Sequence, residues 1–90
     1  MQMNLYHVWR TDNWSWDDYD SFVVAAESEI EAKQTHPGGK DYQKNWVKGE
    51  RPFRAWPDFG SELIKAELIG KAEPGKYTET TVIVVSSNAG

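Results

Sequence analysis

Cationic and aromatic side chains interleave in the middle of this sequence, in the stretch KDYQKNWVKGERPFRAW at residues 40–56. Its cations are Lys40, Lys44, Lys48, Arg51 and Arg54, and its rings are Tyr42, Trp46, Phe53 and Trp56. Five cations against two acids leave a local charge of +3 in a chain whose net charge is −4. Flat rings beside fixed positive charge suit a planar anion, because a ring can stack on a base while cations hold its phosphate. The stretch therefore indicates a small, anionic, nucleotide-like ligand.

The expected chemistry divides between the charged and the aromatic residues of this stretch. Arginine pairs with phosphate through two parallel hydrogen bonds that lysine cannot reproduce, and a tryptophan or tyrosine ring stacks on a base. The predicted ligand-binding residues are Tyr42, Lys44, Trp46, Lys48, Arg51, Arg54 and Trp56, with Trp14 as a further wall. The alternative is that the rings are buried in a small core and the cations form a solvated rim. The sequence leaves both interpretations open.

An acidic stretch that bears two tryptophans, DNWSWDDYD, occupies residues 12–20. Its carboxylates would suit Ca²⁺ or Mg²⁺, but it lacks the glycine and final glutamate of a calcium-binding loop, so we expect solvated turn residues and no metal. Trp14 and Trp16 share one side of an extended loop because they are two residues apart. An exposed pair would mark an interface or a ligand wall, and packing against the core is the alternative.

Few residues could support catalysis. The chain has no cysteine, which removes thiolate zinc sites and thiol nucleophiles together, and its only histidines are His7 and His36. The His36-Pro37 pair is more typical of a helix stop than of a catalytic base, because the residue before proline disfavours helical geometry. We expect a binding protein, not an enzyme, with no catalytic residue and no cofactor.

Size and composition restrict the partners. A chain of 90 residues forms a single domain over residues 1–90 with a thin stability margin, which favours self-association, most simply as a two-fold dimer. A net charge of −4 argues against duplex nucleic acid, whose binding requires many neutralised phosphates. The longest apolar runs, at residues 22–26 and 82–85, are too short to span a membrane. We therefore expect a soluble homo-oligomer, and the missing cysteines and signal peptide favour the cytoplasm.

Hydrophobic periodicity predicts the elements that must position these residues. Strands are predicted at residues 3–11, 22–26, 63–72 and 80–86, the first of them an inner strand partly covered on each face. The run Ser28-Glu29-Ile30-Glu31 is typical of a capped helix start, with Ile30 and Ala32 facing inward, and this short helix ends by His36. Residues 40–56 are expected to form part of a long loop. The order predicts an α+β fold, a four-stranded, mostly antiparallel sheet with one short helix on a face.

Two segments carry a resemblance to a known group. YDSFVVAAESEIEAKQTHP at residues 19–37 and LIGKA at residues 68–72 resemble small uncharacterised proteins of tailed bacteriophages. In that group a strand runs into an A-E-S-E-x-E-A helix start with a His-Pro stop, and a variable loop bearing tryptophan precedes an I-G-x-A strand. This chain departs from the pattern in the middle, at KNWVKGERPFRAW. The resemblance implies a phage protein of the counter-defence class in an infected bacterial cytoplasm.

These features give one leading hypothesis and two rivals. The leading hypothesis is a phage counter-defence protein that sequesters a nucleotide-derived immune signal through the basic-aromatic stretch. One rival is an inhibitor that docks directly on a host defence protein, or a nucleic-acid mimic, using the acidic surface of residues 12–20 and 27–31. The other is a small hydrolase with His7 or His36 as base, which requires an acid-base pair within hydrogen-bond reach.

Overall fold

The computed structural model describes residues 3–12, 19–49, 56–57 and 59–87. Its elements in chain order are β1 (Asn4–Arg10), β2 (Tyr19–Ala26), α1 (Glu29–Lys33), α2 (Lys40–Val47), β3 (Ile64–Lys71) and β4 (Thr81–Ser87). The four predicted strands and the predicted helix are all present. The expectation of a single helix and a long loop was wrong, because α2 occupies the first part of the basic-aromatic stretch.

The strands form one antiparallel sheet in the order β3-β1-β2-β4. β1 pairs with β2 along most of its length, with Tyr6 opposite Val24 and Val8 opposite Phe22. β1 also pairs with β3, and β2 with β4, so β1 is an inner strand as the sequence predicted. The α+β fold class is therefore confirmed.

One face of the sheet and the helices enclose the main core. Alternate strand residues point to this face, and α1 packs against β1, β2 and β3. The buried residues are Tyr6, Val8, Phe22, Val24, Ala26, Ala32, Trp46, Trp56 and Ile64. Two of them are tryptophans from the predicted binding stretch, so a core this small uses its largest rings for packing.

The opposite face of the sheet is more open. His7 and Trp9 are half-buried there and stack on each other, with ring centroids 5.4 Å apart. A second, smaller cluster of Met3, Ala25 and Ala72 closes one end of this face. Within the described residues, no helix has the length and apolar character that a membrane crossing requires.

Helix α1 begins where the sequence predicted, but only one of its two expected inward residues is buried. Ser28 adopts an extended backbone and its Oγ accepts a hydrogen bond from the amide of Glu31 at 3.2 Å. Ala32 is fully buried, whereas Ile30 is 67% exposed. Residues two apart on a helix point in nearly opposite directions, so a helix of five residues cannot bury both.

Candidate functional site

Helix α2 carries its cations along one side. Lys40 and Lys44 belong to the helix and Lys48 is its C-terminal cap. Residues at a spacing of four lie on the same side of a helix, and all three lysine side chains are exposed. We call this row, Lys40, Lys44 and Lys48, the lysine ridge. It is the described part of the cationic stretch that the sequence singled out.

Trp46 lies on the side of α2 away from the lysine ridge and is 2% exposed. Its Nε1 donates a hydrogen bond to the carbonyl of Pro57 at 2.7 Å, and Phe59 packs edge-on with ring centroids 5.1 Å apart. The indole therefore fixes the helix to the chain that follows it. This ring belongs to the core, as the alternative interpretation of the sequence proposed, and it offers no open face for a base.

Trp56 is also a core residue, at 1% exposed. Phe22 contacts it edge-on with ring centroids 5.3 Å apart, and the guanidinium carbon of Arg10 lies 5.8 Å from the centre of its ring. Burying a large ring supplies much of the apolar area that a small domain needs. The stacking role that the sequence offered for Trp46 and Trp56 is thus not what the structure shows for either ring.

Tyr42 is 38% exposed, but one side of its ring is already occupied. The imidazole of His36 stacks on it, with ring centroids 5.6 Å apart and planes 22° from parallel. Tyr42 also follows Lys40 by two residues, so it points away from the lysine ridge. Within α2, the rings of Tyr42 and Trp46 therefore lie on the side opposite the lysine ridge. The predicted ligand residues Trp14, Arg51 and Arg54 lie outside the described residues.

The first turn of α2 borders a cleft of about 600 Å³ between the two helices and the start of β4. This volume lies within the range of small-molecule sites, about 300–1,000 Å³. Its polar lining includes Glu31, Thr35, Lys40, Gln43, Glu79 and Thr80. The sequence prediction missed this cleft because its walls come from segments far apart in the chain.

The side chains of the cleft hold one another in place. Lys40 Nζ lies 2.8 Å from Glu79 Oε1, an exposed ion pair that joins α2 to the segment before β4. The carboxylate of Glu31 accepts a hydrogen bond from the hydroxyl of Thr80. Both pairs connect the helices to the segment that leads into β4.

Gln43 joins α2 to the segment between the helices. Its Oε1 accepts from the amide of His36 at 2.6 Å, and its Nε2 donates to the carbonyl of Gln34 at 2.6 Å. The side-chain amide thereby satisfies two backbone groups at the end of α1 that have no partner inside that helix. No local pattern in the sequence indicates such a bridge.

His36 forms part of the cleft wall and is 6% exposed. Its Nδ1 accepts a hydrogen bond from the amide of Gly38 at 2.8 Å. Burial lowers the pKa of the imidazole to about 4, so the ring is neutral at pH 7. A cationic role for His36 toward an anion is thus disfavoured at that pH.

At each end of the acidic stretch, a carboxylate accepts hydrogen bonds from a nearby side chain. Asp12 accepts hydrogen bonds from Arg10 Nε at 2.7 Å and from its terminal nitrogen at 2.9 Å, and this pairing lowers the pKa of the carboxyl. Asp20 accepts a hydrogen bond from the hydroxyl of Ser21. No group of three or more histidine or carboxylate side chains that could hold a metal ion occurs within the described ranges.

Comparison of this chain with models of known protein families, with curated proteins and with solved structures found no match in any of the three.

Proposed function

We propose that this protein binds a nucleotide-like anion and acts by sequestering it, with the phosphate on the lysine ridge and the base in the cleft. The observation that carries this proposal is the position of Lys40. It stands at one end of the ridge and also lines the cleft, so one ligand can touch both. The proposed ligand class is the one that the sequence indicated. The position of its base is different, because we place it in the cleft and not on a tryptophan ring.

The ridge supplies the positive charge. Its neighbouring lysines are about 6 Å apart along the helix axis, which lets two of them share one phosphate or hold two adjacent ones. Lysine binds phosphate as a compact point charge, so the ridge attracts the anion without imposing one orientation. In a chain with a net charge of −4, this local row makes α2 the favoured side for an anion.

The cleft supplies groups that can orient a base. The carboxylates of Glu31 and Glu79 accept hydrogen bonds, and the hydroxyls of Thr35 and Thr80 both donate and accept. An exocyclic amino group on a base would donate to such a carboxylate. This favours an amino-bearing base such as adenine over a base that carries only carbonyls.

Sequestration of a nucleotide-derived immune signal by a phage protein in the host cytoplasm is the biological setting that we propose for this binding. The resemblance of residues 19–37 and 68–72 to tailed-phage proteins supports that setting. Binding without catalysis is favoured because the imidazole in the cleft wall already accepts a hydrogen bond at Nδ1 from the amide of Gly38, which leaves that atom unable to act as a base. Lys40 pairs with Glu79, and both functional atoms of Gln43 are bonded to backbone groups.

Calorimetric titration with a panel of cyclic and linear nucleotides tests the proposal. Lys44→Ala removes the middle lysine of the ridge without altering the cleft. We expect it to weaken binding by about 1.5–3 kcal/mol, the usual range for a charge-assisted hydrogen bond, or roughly tenfold to a hundredfold. The affinity should also fall as salt is added, because exposed charges are screened.

Lys71→Ala is the matched control, because Lys71 is an exposed lysine on β3, at the opposite edge of the sheet from β4. It should leave the affinity unchanged. An equal loss in both variants would mean that only net charge matters and would contradict a site on α2. If no nucleotide binds more tightly than millimolar, the proposal fails and direct inhibition of a host protein becomes the leading hypothesis.

A further inference from the structure

The two edge strands of the sheet, β3 and β4, differ in whether they carry charged residues that oppose pairing with another chain. β3 carries Lys65, Glu67 and Lys71, and charges on an edge strand oppose such pairing. β4 has the sequence TVIVVSS, without a charge, proline or glycine. Three consecutive side chains of β4 are exposed, Ile83 at 42%, Val84 at 56% and Val85 at 37%. β4 is therefore the edge strand that lacks charges opposing pairing with another strand.

The backbone of β4 is also open on one side. β4 pairs with β2, and within the described residues no strand lies beyond it. Helix α1 packs over β1, β2 and β3, so it leaves this edge uncovered. An edge strand presents a row of N–H and C=O groups that can accept a further strand. Five of the seven residues of β4 are β-branched, which suits that pairing.

We infer that β4 pairs antiparallel with the β4 of a second copy of this chain, which joins the two sheets across a two-fold axis. Because β4 carries no charge, two copies of it can pair without electrostatic repulsion. Antiparallel self-pairing brings valine and isoleucine of one copy opposite those of the other, and it places no like charges across the interface. A charged foreign strand would instead have to desolvate its charges against these valines.

This interface adjoins the ligand site at the start of β4 but has different central residues. The cleft is lined by Thr80, Thr81 and Val82 at the start of β4, whereas the exposed apolar residues at 83–85 follow them. The dimer therefore does not depend on the proposed function. Loss of ligand binding with the dimer intact, or the reverse, would separate the two proposals.

Sedimentation and light scattering of two matched variants test the interface. Val84→Lys places a charge on the β4 edge, and Leu68→Lys makes the same kind of change on β3 at nearly the same exposure, 56% against 55%. We expect the wild type and Leu68→Lys to have twice the 10.3 kDa mass of the chain, and Val84→Lys to have that mass only once. Melting curves recorded by circular dichroism establish that both variants fold.

Hydrogen exchange on the unaltered chain provides a second test that requires no substitution. Dilution through the dissociation constant should release protection of the β4 amides that point away from β2, and leave the β3 amides unchanged. A wild type that remains at 10.3 kDa up to millimolar concentration overturns the inference. So does a dimer whose β4 amides exchange as fast as in the monomer, because such a dimer pairs through another surface.

Discussion

His36 lies in the segment between the two helices and contacts α2 through both its backbone amide and its ring. Its amide donates to Gln43, its Nδ1 accepts from Gly38, and its ring stacks on Tyr42 and contacts Trp46 edge-on at 5.3 Å between centroids. The space around it is tight, because a Cβ built at Gly38 would lie 2.5 Å from the Tyr42 ring. A neutral imidazole fits this site, and a charged one would be desolvated there.

Because the imidazole of His36 is buried, we expect the folded protein to lose stability in mild acid. The unfolded chain takes up a proton at His36 near pH 6.5, whereas the folded chain does so only near pH 4. Between these values the unfolded state binds more protons, so the free energy of unfolding decreases as the pH falls through that window. A shift of this size corresponds to at most about 3 kcal/mol. Urea unfolding followed from pH 7 down to pH 4 measures it.

The matched variant for this prediction is His36→Gln, which retains a polar side chain and removes the titrating group. It should lower stability at pH 7 and abolish most of the decrease between pH 6.5 and 4. If the variant and the wild type lose stability in parallel over that range, the carboxyl groups and not His36 are responsible.

The two buried tryptophans differ in one hydrogen bond. Trp46 Nε1 donates to Pro57, whereas Trp56 Nε1 is buried without a hydrogen-bond partner among the described residues. Trp46→Phe leaves the carbonyl of Pro57 without its donor, which costs about 1–3 kcal/mol, whereas Trp56→Phe removes an unsatisfied donor. Both lose similar ring volume. Chemical denaturation should therefore show the larger loss for Trp46→Phe, and equal losses would contradict the assigned bond.

At the level of single elements, the N-terminal cap of α1 gives a direct test. Ser28→Ala removes the acceptor for the amide of Glu31 and should lower stability by about 1 kcal/mol, measured as a lower melting temperature. Ser28→Asp restores a side-chain acceptor and adds a negative charge at the positive end of the helix. It should therefore melt at or above the wild-type temperature. Equal melting of all three proteins would mean that this cap does not contribute to stability.

The strands could be predicted from sequence and α2 could not, for a physical reason. β1 and β4 carry alternating or β-branched residues, and this local pattern already indicates an extended chain. Helix α2 begins after Gly39, at a φ of 87° and without a side-chain cap, and Trp46 is the one buried residue among those of its side chains that the structure describes. Its distinctive contacts are made by Gln43 and Trp46 to residues outside the helix, seven to thirteen positions away. Local patterns cannot show such contacts.

At the scale of the whole molecule, the candidate site was predictable only in part. Lys44 and Lys48 were identified from local charge, and both are exposed on the ridge. Their separation from the rings follows from the helical geometry of α2, which the local sequence does not indicate. Glu79 lies 39 residues beyond its partner Lys40, and Thr80 lies 49 residues beyond its partner Glu31. A site assembled from distant segments leaves no spacing that could reveal it.

The strand order β3-β1-β2-β4 also has a consequence for how the chain reaches its final form. The first two strands form the centre of the sheet, and each later strand is added to an outer side, so folding in the order of synthesis never requires an existing pair to open. Until β4 arrives, the β2 edge at residues 22–26, an uncharged apolar run, has no partner on that side. Short-lived exposure of such an edge promotes aggregation. Pairing with β4, the last of the described strands along the chain, covers this edge of β2.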